Sequence, residues 1–108
     1  MKILLDENLP RKLRHGLGNE HEVHTVQDKD WLGKRNGELL GLMTLDGFDA
    51  FITIDKNIRH QQNLNRFSIK LFVLNAPNNK IVTLRPYIEA LLDVLKFEIA
   101  DQITVVDI

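Results

Sequence analysis

Two short apolar runs that each stop at a carboxylate constrain this chain more than any other feature. Lys2-Ile3-Leu4-Leu5 runs into Asp6-Glu7-Asn8, and Phe51-Ile52-Thr53-Ile54 runs into Asp55. An apolar run this short, ending at a polar cluster, is the pattern of a strand buried on both faces. In open α/β sheets, ligands and reacting groups collect beyond the C-terminal strand ends. If the two strands are parallel, Asp6 and Asp55 stand on the same edge of one sheet.

The remaining chain alternates as such a sheet requires. Asn8 is a good N-cap, and Pro10 suits a first helical turn. Leu9, Leu13 and Leu17 make one apolar stripe, so a helix is expected over 9–17, ended by Gly16 or Gly18 as a left-handed cap. A β-branched strand at 21–26 leads to a polar loop at 27–35, which carries the single tryptophan, Trp31. A second helix is expected from Asn36 through Leu45, packing Leu39, Leu42, Met43 and Leu45. Asp46-Gly47 turns into a strand at 49–54, and one or two helical turns follow from Lys56 toward Leu64. A fourth strand at 69–74, a helix at 82–97 and a last strand at 102–106 complete the order. In the helix at 82–97, Leu84, Ile88, Leu91, Leu92 and Leu95 are expected to be buried, with Thr83 or a neighbour as cap. Strands alternating with helices predict a three-layer α/β/α domain over 1–108 with a mostly parallel five-stranded sheet.

A chain of 108 residues supports one domain with one core. It has no cysteine, which excludes disulfides and thiolate metal sites. No leader or apolar run of membrane-spanning length is visible, so a soluble, cytoplasmic protein is expected. The 14 Lys and Arg against 15 Asp and Glu leave a formal charge of −1. Any nucleic-acid contact must therefore come from a local patch. The four histidines show no metal-ligand spacing such as HExxH.

Glu38 is the third acid of interest. It shares a helical stripe with Leu42 and Leu45, so it is expected to face the core from the first turn of the second helix. That turn lies over the C-terminal edge of the sheet, beside Asp6 and Asp55. Three carboxylates at close quarters stay ionised together only around a cation. Oxygen ligands without His or Cys favour Mg²⁺ or Mn²⁺, ions suited to phosphoryl chemistry. Taken singly, Asp6 and Asp55 also suit a turn or cap, and Glu38 suits a helix dipole. Lys34, Arg35, Lys56, Arg59 and His60 fall on the same expected edge, where together they would hold a phosphate backbone and singly suit an ordinary solvated loop face. Trp31 would stack a base or cover the core, and Gln61 and Gln62 would bond substrate or cap a turn.

Leu4-Leu5-Asp6-Glu7-Asn8-Leu9-Pro10, Asn36-Gly37-Glu38-Leu39-Leu40 and Phe51-Ile52-Thr53-Ile54-Asp55-Lys56-Asn57 together resemble the short PIN-like proteins, compact relatives of the VapC-type PIN ribonuclease toxins. The resemblance runs in motif order over nearly the whole chain. It implies an acidic Mg²⁺ or Mn²⁺ site that hydrolyses RNA phosphodiesters, in the toxin half of a toxin–antitoxin pair restrained by a small cognate protein. Homodimers are common among such toxins. On this resemblance Asp6, Glu38 and Asp55 are the catalytic and metal-holding acids. Asn8 and Thr53, inside the motifs, join Lys34, Arg35, Lys56 and Arg59 as substrate contacts. The further aspartate that PIN nucleases bring from a helix has no counterpart between Leu39 and Asp49. Two other readings stand beside this one. One is a non-catalytic PIN-like binding module. The other is a receiver-like domain phosphorylated on Asp55, with Mg²⁺ on Asp6 and Glu7; the hydroxyl and lysine such a site needs after strands four and five are missing.

Overall fold

The apolar runs form strands because their side chains find cover on both sides of the sheet. The computed structural model describes residues 1–61, 63–97, 99 and 101–108. Its strands are β1 (Lys2–Leu5), β2 (Glu22–Thr25), β3 (Ala50–Thr53), β4 (Lys70–Leu74) and β5 (Ile103–Val106). They lie in the order β2-β1-β3-β4-β5. Every pairing is parallel, so the expectation of a mostly parallel sheet resolves to a wholly parallel one.

Successive side chains alternate between two cores, as the two-residue period of a strand demands. Ile3, Leu5, Ile52, Phe72 and Leu74 pack on one face, under η1 (Arg11–Leu17) and α2 (Ile81–Val94). Leu4, Phe51, Leu71 and Val73 pack on the other, under α1 (Asn36–Leu45), with Ile58 of η2 (Lys56–His60) and Leu64 of η3 (Leu64–Arg66). The architecture is α/β, with helical layers on both faces of the sheet. No helix among the described residues is long and apolar enough to cross a membrane.

Three expectations are corrected. The first helix is a 3₁₀ helix that begins at Arg11, and Asn8 does not cap it. Pro10 takes an extended conformation (φ −59°, ψ 134°), and the residue before a proline is itself turned away from the helical region, so the helix cannot start earlier. Leu9, Leu13 and Leu17 are nevertheless all buried. Gly18 ends the segment at φ 74°, ψ −172°, a conformation open to glycine alone.

The second correction concerns α1. Its bounds match the expected ones, but its buried side chains are Leu39, Leu40 and Met43. Leu42 is half-buried and Leu45 is 87% exposed. Apolar residues at 39, 40, 42, 43 and 45 surround the helix, so their pattern does not choose a face. Position 45 is thus surface, and Leu45→Lys is expected to change stability by no more than about 0.5 kcal/mol, read from chemical denaturation.

The third concerns α2, which begins at Ile81 and buries Leu84, Tyr87, Ile88 and Leu91. Leu92 and Leu95 are only partly buried. Thr83 does not cap the helix: Lys80 is the N-cap residue, without a side-chain cap bond. The Lys80 N–H donates instead to Asn78 Oδ1 at 3.0 Å.

Candidate metal and nucleic-acid site

The chain leaves β1 toward η1 on one face of the sheet and leaves β3 toward η2 on the other. Neighbouring parallel strands whose connections diverge in this way open a crevice beyond their C-terminal ends, the switch point of an open α/β sheet. Asp6 and Asp55 stand on the two sides of that crevice.

Strand register brings the groups together. Leu5 pairs with Ile52, and the Asp6 N–H donates to the Ile52 carbonyl at 2.9 Å. Asp6 continues the alternation of Leu4 and Thr53 that of Phe51, so both side chains belong to the α1 face. Thr53 is fully buried. Its hydroxyl donates to Asp6 Oδ2 at 2.6 Å and accepts the Asp55 N–H at 3.0 Å. One buried hydroxyl therefore ties the two acidic residues to each other.

Each carboxylate has a local partner as well. Asp6 Oδ1 accepts the Glu7 N–H at 2.8 Å, and Asp55 Oδ1 accepts the Asn57 N–H at 3.0 Å as the cap of η2. Burial pushes the Asp6 carboxyl above its ordinary value. The bonds from Thr53 and Glu7 oppose that rise, whereas the charges of Glu7 and Asp55 add to it. Asn8 Oδ1, two residues on, is buried with no hydrogen-bond donor.

The other expected members stand apart. Glu38 lies in the first turn of α1, where a carboxylate complements the helix dipole, but it is exposed rather than turned to the core. The physical reason is the facing of α1: the Glu38–Leu42–Leu45 stripe is real, but it is the outward one. Among the described residues no group of three or more His, Asp or Glu side chains gathers as a metal-binding cluster. Lys34, Arg35 and Arg59 are exposed and form no ion pair among the described residues. Lys56 reaches from the start of η2 to the Ala76 carbonyl beyond β4, at 3.4 Å.

Trp31 is half-buried, edge-on to Phe48 at 6.0 Å between ring centres, with the Lys29 ammonium 5.4 Å from its own ring centre. Its place is in the core cover. Gln61 follows η2 and is exposed, and Gln62 lies outside the described residues. Sequence reasoning missed the double role of the Thr53 hydroxyl and the isolation of Asn8 Oδ1. A threonine closing an otherwise apolar strand was the available signal for the first; nothing local signals the second.

Compared with protein-family models, with curated proteins and with solved structures, the chain matches none.

Proposed function

We propose that the chain is a metal-dependent endoribonuclease of the PIN-like type whose reaction takes place in the crevice between β1 and β3. The observation that carries this reading is the Asp6–Thr53–Asp55 linkage at the switch point. A half-buried carboxylate raised by desolvation, with a second carboxylate repelling it, gains most from a cation. The oxygen donors present fit Mg²⁺ or Mn²⁺. Asp6 and Asp55 would hold the ion, and Glu38, exposed at the start of α1, is the third acid assigned to it. When bound, the cation supplies charge neutralisation for the phosphodiester and activation of an attacking water.

The chain's own residues do the positioning. The Thr53 hydroxyl fixes the Asp6 carboxylate and leaves it no free rotation. Lys56, held by the Ala76 carbonyl, places positive charge on the rim, and Lys34, Arg35 and Arg59 hold flanking phosphates. A small cognate antitoxin restrains the enzyme in this reading. Val82 and Phe97, exposed at the start of α2 and just beyond its end, are among the exposed apolar positions available for pairing two copies.

The test is Mn²⁺ titration by calorimetry, followed by incubation with a pool of structured RNAs. Saturable binding, with cleavage that stops on chelation, is expected. Cleavage that persists in excess chelator, or none at any Mn²⁺ concentration, would overturn the reading.

The exposed position of Glu38 favours one alternative, a PIN-like binding module with a weak or inactive site. That module would take up no Mn²⁺ at millimolar concentration. The β2-β1-β3-β4-β5 order is shared with receiver domains, and mass gain on Asp55 after incubation with a small phosphodonor would point there instead.

A further inference from the structure

The two edges of the sheet are built differently. At β2 the outward backbone groups of Thr25 are already used: its N–H donates to Asp28 Oδ2 at 3.3 Å, and its carbonyl accepts the Lys29 N–H at 3.2 Å. Glu22 and His24 add charged and polar side chains along the same strand, a common protection of a sheet edge. β5 has neither device. Its sequence, Ile103-Thr104-Val105-Val106, holds no charge, no proline and no glycine.

The outer side of β5 is also open. The carbonyls of Gln102 and Val106 accept from the Leu71 and Asn75 N–H groups, at 2.7 and 2.9 Å. Alternate residues of a strand turn their backbone groups to opposite sides, so Gln102, Thr104 and Val106 face β4. The N–H and carbonyl groups of Ile103, Val105 and Asp107 face away from it, and no segment among the described residues pairs with them. Val105 is 39% exposed, in the middle of this edge. Phe97 and Ile108, exposed on either side of the strand, make the same edge apolar at both ends.

We infer that β5 pairs antiparallel with β5 of a second copy of this chain, joining two sheets edge to edge about a two-fold axis. The register identifies the occupant. With the axis at Thr104, Ile103 of each copy stands opposite Val105 of the other, and the two exchange both backbone bonds. The side chains that meet are β-branched on β-branched and threonine on threonine, pairs that favour strand association. Antiparallel pairing also carries the Ile108 end of one strand toward the Phe97 end of the other. Asp101 falls opposite Asp107 of the second copy. Exposed Arg66 flanks that end and offsets the two acids, because Gln102 Nε2 donates to the Leu64 and Phe67 carbonyls on either side of it. The protected β2 edge stops further growth, so the assembly closes at two. A four-residue edge is small beside the roughly 800 Å² per partner of a standard interface, so a dissociation constant of about 10–100 μM is expected. β4 lies between β5 and the crevice strands, and the pairing stands apart from the nuclease reading.

The test is sedimentation velocity over a protein concentration series spanning the expected dissociation constant. It compares wild type, Val105→Lys, Val105→Pro and the control Val82→Lys, with circular dichroism to check folding. Val105→Lys places a charge on the edge. Val105→Pro removes an N–H that faces away from β4, so the ladder inside each copy is kept. Wild type should pass from monomer to dimer. Both Val105 variants should associate about tenfold or more weakly, since the two-fold repeats each loss. Val82→Lys, exposed elsewhere on α2, should match wild type. In hydrogen exchange, the amides of Ile103 and Val105 should slow as wild-type concentration rises.

A dimer unchanged in Val105→Lys, with amide exchange at 103 and 105 independent of concentration, would overturn the pairing even if Val105→Pro fails to fold. Species that grow beyond the dimer would overturn the two-fold closure. A wild type that stays monomeric throughout would overturn the inference and leave an extended segment of another protein as the strand to seek.

Discussion

Asp6→Asn is expected to abolish Mn²⁺-dependent cleavage while leaving the protein folded and no less stable at neutral pH. The loss follows from position. Asp6 is the most desolvated acid of the crevice and the acceptor of the Thr53 hydroxyl. Changing residues that merely support metal ligands costs 10–100-fold in affinity or activity, so losing a ligand should cost about 100-fold or more. The stability half follows from the raised carboxyl. Between the ordinary carboxylate value and its raised value in the fold, Asp6 binds more protons folded than unfolded. Stability therefore falls as pH rises through that window, and the penalty is full above it. Asparagine carries no such penalty. The variant's denaturation midpoint should equal or exceed that of wild type at neutral pH without metal, and the difference should close near pH 4. Mn²⁺ should raise the midpoint of wild type only. A variant that still cleaves, or one that unfolds at neutral pH, would contradict the assignment.

Thr53→Val is expected to cost the most stability of any single-atom change at the site. Valine keeps the shape, but two bonds vanish together: the donor to Asp6 Oδ2 and the acceptor of the Asp55 N–H. Leaving buried polar groups without partners costs about 1–3 kcal/mol, and the carboxylate places this case near 2–3 kcal/mol. For a domain of this size that lowers the melting midpoint by roughly 10 °C. The Thr53 bond also holds the Asp6 carboxyl down against burial. Without it that carboxyl rises further, and the acidic limb of the cleavage–pH profile moves to higher pH. Serine restores the hydroxyl, so Thr53→Ser should recover the pH profile even where some packing is lost. A valine variant with wild-type stability and profile would show that the linkage does not hold the site.

The sequence by itself determined where β1 ends and, to within one residue, where β3 ends, and hence that Asp6 and Asp55 follow strand ends. It also determined the limits of α1 and the burial of Leu9, Leu13 and Leu17. These are local matters: an apolar run stops where polar residues begin, and leucines repeated along a polar segment mark the side that meets the core. Three things were decided only by tertiary structure. The β2-β1-β3-β4-β5 order depends on pairing between distant segments, and it alone turns two strand-end acids into the sides of one crevice. The facing of α1 was undetermined because its leucines surround it, so packing against Val26, Phe48 and Phe51 set Glu38 outward. The bond from the Thr53 hydroxyl to Asp6 exists only where chain segments far apart in sequence meet. Local propensity and periodicity carry no record of which buried hydroxyl will face which carboxylate.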